Sequence, residues 1–297
     1  MVLLSGMTGA LGKWWEEVVL KVMESVRECL RGMIISNLEK AFSGFNDNIS
    51  EFTTSLSSSP DTLVPGVQET LRTVSENAVL PVGIIILAFV FVCELYEFMK
   101  DTNASNSFNQ GKFIEIVGVT LLFMLLIMKG YDIAMMVMRI GAEAVTKTSA
   151  SATISIPNDL WSSIATEEDI GTLISAVVTS FIIKLSMSVI KVALWLCMYI
   201  RIFEIYIYST AAPAPLATLQ SKEWNEVGKN FIRILLALSM QAFFMILMVL
   251  IYGKVMENAN FAGNLDDALF RCIGYSILVV LMLFKAGNIS KSIFNAH

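Results

Sequence analysis

From Val79 onward the chain is a series of long apolar runs separated by short polar ones. Five runs each supply the roughly 20 apolar residues that a helix needs to cross a bilayer core. They lie at about Val79–Phe98, Phe113–Ile140, Gly171–Pro213, Phe231–Tyr252 and Ala268–Phe284. No Pro, Gly, Asn or Asp occurs between Gly171 and Pro213. That run therefore predicts one continuous helix rather than a hairpin, and at ~1.5 Å per residue it crosses the membrane and protrudes beyond one face. Pro213 and Pro215, which lack amide hydrogens, are expected to stop it. The first run is entered through Pro81, an early-helix position where proline costs little, and is closed by the Asn- and Ser-rich loop Asp101–Gly111. Lys129 and Asp132, three apart, are expected to pair near the far end of the second run.

Upstream the spacing changes. Trp15, Val18, Val22, Val26, Leu30, Met33, Leu38, Phe42, Phe45, Ile49, Phe52 and Leu56 recur every three or four residues, with charged residues between them. This is an amphipathic helix with no window apolar enough to cross. It lies on a membrane surface, packs against partner helices, or covers its own domain. Met1–Leu11 lacks the basic and apolar regions of a signal peptide and is expected to stay in the mature chain. Ser clustering and two prolines mark residues 55–65 as a linker. The fold class is thus all-α: a polytopic membrane bundle of five transmembrane helices (76–297) preceded by a long amphipathic N-terminal segment (1–75). Short loops predict antiparallel neighbours.

Composition agrees. With 55% hydrophobic residues, 16% charged and a mean hydropathy of +0.66, the chain lies outside soluble usage. The net charge of −5 argues against a free nucleic-acid-binding domain. Cys29, Cys93, Cys197 and Cys272 are scattered and read as buried thiols, not a disulfide or metal framework. If the 99–112 loop, the 211–230 loop and the tail after Phe284 share one side, that side holds Lys100, Lys112, Lys222, Lys229, Lys285 and Lys291. The acidic run Glu167, Glu168 and Asp169 falls on the other side with Asp266 and Asp267. The positive-inside rule then makes the C-terminus cytoplasmic and the N-terminus extracytoplasmic.

Catalytic chemistry is missing. The one histidine is His297, and no nucleophile elbow, phosphate loop or paired-cysteine metal motif occurs, so neither an enzyme nor a cofactor is expected. Glu94 and Glu97 could form a proton relay, but interfacial charge with Glu97 beside Lys100 is the favoured reading. Ser180, Lys184, Ser188 and Lys191 fall on one face of the long third helix. They either snorkel and bond to neighbouring helices, or line a cationic lumen in a ring of copies, suited to a polyanion such as single-stranded DNA. Arg201 and Glu204 read as a structural ion pair rather than a gate.

Between the third and fourth runs stand Arg201, Glu204, Tyr206 and Tyr208 on an aromatic-rich helix end. An A-P-x-P-x-A-T turn follows (Ala212, Pro213, Pro215, Ala217, Thr218), then Lys222, Glu223, Trp224, Gly228, Lys229 and Asn230, and a helix with Gln241. Two prolines fix a rigid exit, Ser221 can cap the next helix, and Lys222 and Lys229 hold the loop on the cytoplasmic side. This stretch resembles the TrbL family of conjugative type IV secretion machines, in the form carried by Gram-positive integrative and conjugative elements. The resemblance implies a small homo-oligomeric ring, such as a pentamer, in the cell membrane. There it would lie between cytoplasmic ATPases and the extracytoplasmic stalk components, and would help pass DNA and protein outward. Residues 1–75 match no pattern of that family. A secondary transporter and a holin-like scaffold are the alternatives. The first would show internal repeats or broken helices, and neither is seen in the runs.

Overall fold

The computed structural model describes residues 2–58, 62, 64–105, 108–148, 158–259 and 264–296. Among them only helices and turns occur. The order is α1 (Val2–Ser57), α2 (Val67–Val74), a π turn (Ser75–Val79), α3 (Leu80–Ser105), α4 (Gln110–Met128), α5 (Gly130–Thr148), α6 (Asn158–Thr166) and α7 (Ile170–Ala211). The short α8 (Pro213–Ala217) and a 3-10 turn (Thr218–Gln220) follow, then α9 (Asn225–Asn258) and α10 (Leu265–Ile293). Five helices are long and apolar enough to cross a membrane: Val67–Asn103, Gln110–Met128, Ile170–Ala211, Asn225–Asn258 and Leu265–Ile293. The protein is a multi-pass membrane protein of all-α class.

Two details depart from the sequence reading, each for a local reason. Pro81 does not open a helix but lies inside one, directly after the π turn. Widening the turn to i→i+5 bonding there accommodates a residue that cannot donate to the ladder. The second run is not one helix to Ile140. It stops at Lys129, whose backbone leaves the helical region (φ −102, ψ 11), and α5 restarts at Gly130. Lys129 and Asp132 therefore straddle a break, 3.9 Å apart, while Asp132 takes a shorter bond of 3.1 Å from Arg72. The prolines at 213 and 215 end α7 at Ala211 as expected; Ala212 keeps helical angles (φ −51, ψ −41) and Pro213 starts the separate α8 at its first turn.

The chain clusters into two compact units. The first draws its described residues from 1–50, 152–193 and 249–281. Its core is the rear stripe of α1, with Ile34, Leu38, Phe42, Phe45 and Ile49 all buried. Phe45 meets the ring of Tyr252 edge-on at 5.6 Å. The forward half of α1 is different: Trp14, Trp15, Leu20 and Val22 are exposed. The amphipathic stripe thus covers its own domain only from about Ile34 on. Arg27 and Arg31 donate to the backbone carbonyls of Glu168 and Glu167 at 2.8 and 2.6 Å. Asp169 caps α7 by accepting from the Thr172 amide at 2.7 Å.

The second unit is formed from described residues of 51–151, 194–248 and 282–297. Its core gathers Leu87, Ile127, Tyr131, Met135, Ile205, Leu216, Phe231 and Leu235 around the double-proline segment. The glycines facing that core show how closely the backbones pass. A Cβ on Gly83 would lie 2.8 Å from the Pro213 carbonyl oxygen, and one on Gly130 would lie 3.3 Å from the Pro213 nitrogen. A Cβ on Gly228 would meet the Pro215 carbonyl at 2.8 Å, and one on Gly141 would overlap the Ser239 carbonyl. Lipid tails are as apolar as leucine, so helices in a bilayer gain association energy mainly from such close backbone approach. Two expectations on burial change: Cys197 and Cys272 are buried, but Cys29 and Cys93 are exposed. Part of the 55–65 linker (residues 59–61 and 63) and residues 149–157 of the polar stretch lie outside the described residues.

Candidate functional site

The A-P-x-P turn is not a surface loop. Pro213, Leu216, Ala217 and Thr218 are buried, and the segment runs along the α3/α4 hairpin from one end toward the other. Ala212 and Pro213 lie against Gly130 and Gly83, Gln220 donates to the Thr120 hydroxyl at 2.6 Å, and Lys222 reaches Glu97 at 2.7 Å and Glu94 at 3.3 Å. From Gly83 to Glu97 is fourteen helical residues, about 21 Å of axial travel at 1.5 Å each. The chain then turns back: Trp224 stacks on Phe89 at 5.6 Å, its amide donates to the Ser221 hydroxyl at 3.1 Å, and Gly228 packs against Leu219. Residues 212–228 are therefore a rigid tip clamped by a helical hairpin. Thr210 is tied down as well, its carbonyl accepting from Ser75 at 2.9 Å.

The carboxylate pair finds its cation here. Glu97 does not turn to Lys100; both carboxylates hold Lys222 from the tip. The hydrogen bond that Lys222 donates to Glu97, and secondarily the one to Glu94, raises the Lys222 pKa above its ordinary value. Glu223 stays exposed beside them. Lys112 bonds Asp101 at 2.8 Å, so two lysines meet three carboxylates at this end of the hairpin and a net negative charge remains. No group of His, Cys, Asp and Glu able to hold a metal ion is found among the described residues.

Arg201 and Glu204 do not form the expected pair. Glu204 lies 3.9 Å from Lys291 near the end of α10, whereas Arg201 is 5% exposed, its Nε has no hydrogen-bond partner among the described residues, and the Glu204 charge acts on it without an ion-pair contact. On one helix the i,i+3 spacing allows contact, but the tertiary neighbour offers Glu204 a cation from a second helix.

The polar stripe of α7 divides into two parts. Ser180 is fully buried and accepts a hydrogen bond from Asn37 of α1 at 3.1 Å, so it is committed within the chain. Lys184 is half-buried, while Ser188 and Lys191 are exposed. Ser188 gives its proton to the Lys184 carbonyl at 3.2 Å. Among the described residues neither lysine has an ion-pair partner.

Sequence reasoning missed Asn37, Thr120 and the role of the glycines. A signal for the last was present: Gly83, Gly130, Gly141 and Gly228 interrupt apolar helices at a cost of about 1 kcal/mol each relative to Ala, which implies a packing reason.

A family model described as "TrbL/VirB6 plasmid conjugal transfer like protein" matches residues 45–213. The chain belongs to this family. The match covers more than half of the chain and begins inside α1, so residues 45–75, which the sequence alone left unassigned, carry the family pattern too. Of residues 201–253, which carry the motif resemblance, only 201–213 lies within the match. Comparisons with curated proteins and with solved structures give no match. Family and helices together make this protein a membrane subunit of a conjugative transfer complex.

Proposed function

We propose that this TrbL/VirB6-type subunit forms a small homo-oligomeric ring in the cell membrane. Lys184, Ser188 and Lys191 of α7 then face a water-filled path through which DNA or protein substrate passes. The observation that carries the reading is two lysines that have no anionic partner among the described residues, on a helix long and apolar enough to cross lipid. A lysine in that setting needs water or a neighbouring subunit. Ser180 drops out of the lumen face because Asn37 occupies it. The proline tip serves as the fixed corner from which α7 and α9 are held, and the subunit's partners in the assembly are the transfer ATPases on the cytoplasmic side and the stalk components on the other.

The orientation we infer keeps the N-terminus extracytoplasmic and the C-terminus cytoplasmic. Supporting it, the 99–112 loop and the tip share one end through Lys112, Asp101, Lys222 and Glu97. The acidic run is held by Arg27 and Arg31 of the N-terminal helix.

The test is charge reversal. Lys184→Glu with Lys191→Glu should cut conjugative DNA transfer while the particle still assembles and extracts at its normal size. Unchanged transfer with both positions reversed removes the lumen assignment and leaves a scaffold.

A further inference from the structure

We propose that a cleft of about 320 Å³ in the second unit binds the phosphate group of an anionic membrane lipid, with Arg201 and Arg139 as its ligands. The cleft is lined by the end of α1, one face of α5 and the α7 turn that carries Arg201 and Ile205. Its size falls near the lower bound of pockets that hold small molecules, about 300–1,000 Å³.

Arg201 is the reason to expect an anion. It is 5% exposed, its Nε lacks any hydrogen-bond partner among the described residues, and Glu204, whose charge reaches it only at longer range, makes no ion-pair contact with it. A guanidinium cannot shed its proton to escape burial, so it requires a counter-charge. Arg139, exposed on α5, lines the same cleft, and neither arginine is joined to Glu143, also in the lining, by an ion pair among the described residues. Two guanidinium forks against one carboxylate leave the cleft net positive, and paired forks match phosphate oxygens better than any ammonium does.

The lipid source follows from the rest of the lining. Leu56, Met135, Met138 and Ile205 supply an apolar wall against which an acyl chain packs, whereas free phosphate would use the cations alone. Arg201 sits on a helix long and apolar enough to cross the membrane, and basic pockets beside membrane-crossing helices are where anionic headgroups dock.

The experiment uses the full chain purified in neutral detergent. Thermal unfolding is followed while phosphatidylglycerol, phosphatidylcholine or inorganic phosphate is titrated in. Phosphatidylglycerol should raise the midpoint; the other two should not at matched phosphate. Arg201→Gln should weaken that binding by roughly tenfold or more, Arg139→Gln should weaken it less, and Glu143→Gln should strengthen it. Where Arg201→Gln does not fold, Arg139→Gln and the cleft-narrowing Ala142→Phe decide the matter. A midpoint that ignores phosphatidylglycerol, an equal shift with inorganic phosphate, or unchanged binding in Arg139→Gln and Ala142→Phe would each overturn the assignment. So would a lipid-free protein destabilised by Glu143→Gln, because Glu143 would then be the counter-ion of Arg201.

Discussion

Gly83 and Pro213 touch backbone to backbone: a Cβ on the glycine would stand 2.8 Å from the proline carbonyl oxygen. Neither side of that contact is the end of a flexible side chain, so an added methyl group has to push two helices apart. Gly83→Ala should destabilise the protein by about 1–3 kcal/mol, the usual cost of overpacking, and Gly141→Ala, facing the Ser239 carbonyl, should cost more. Gly118→Ala, with nothing within 4 Å, should be neutral or stabilising by up to about 1 kcal/mol. Thermal unfolding of the three variants in detergent checks the order.

Lys222 provides a pH test at the tip. Its pKa is raised by the bond to Glu97, so its contribution is complete below the ordinary value of 10.5 and is lost as pH climbs through the higher folded value. Wild type should be more stable than Lys222→Met at pH 9, and the gap should close as the buffer is made more alkaline. A gap of constant size across that range would show that Lys222 acts through packing of its stem.

Asp169 carries the opposite sign. Bonds from the Thr172 amide and hydroxyl hold its carboxyl below the usual 3.8, so its stabilisation is present above that value and disappears as pH falls through the depressed one. Asp169→Ala should lower the unfolding temperature at neutral pH and converge with wild type in acid, while Asp169→Ser, which can still cap, should lie between them. Circular dichroism melts over that range read the outcome.

The cysteines report sidedness. Cys29 is exposed on α1, and Cys197 and Cys272 are buried. A membrane-impermeant maleimide should label Cys29 in intact cells when the N-terminal helix is extracytoplasmic, and should reach the other two only after unfolding. Labelling of Cys29 that needs opened cells would reverse the orientation proposed above.

How far the sequence could be read follows from what kind of signal each feature leaves. Apolar run length survives any packing, so all five crossing helices were legible, the unbroken one before Pro213 most clearly. The break at Lys129 was not, because no Pro announces it; it is set by Gly130 meeting Ala212 and Pro213 from elsewhere in the chain. Pro81 was assigned to a helix start because a π turn has no composition of its own. Local spacing suggested Glu97 with Lys100 and Arg201 with Glu204, yet the cations that reach these carboxylates are Lys222 and Lys291, distant in sequence. The turn motif was legible as a motif, but its burial was not: polar and Pro-rich composition reads as surface until glycines on three other helices are seen to make room for it.

Helix Gln110–Met128 buries Ile127 and little else within its own chain. Ile114, Leu121, Leu122 and Leu125 all point away from the protein, so the molecule supplies only one narrow seam of contact to this segment. The rest of its surround must be furnished by acyl chains or by adjoining subunits. Of everything along the sequence, this is the stretch on which a crosslinker would most directly record who the neighbours are.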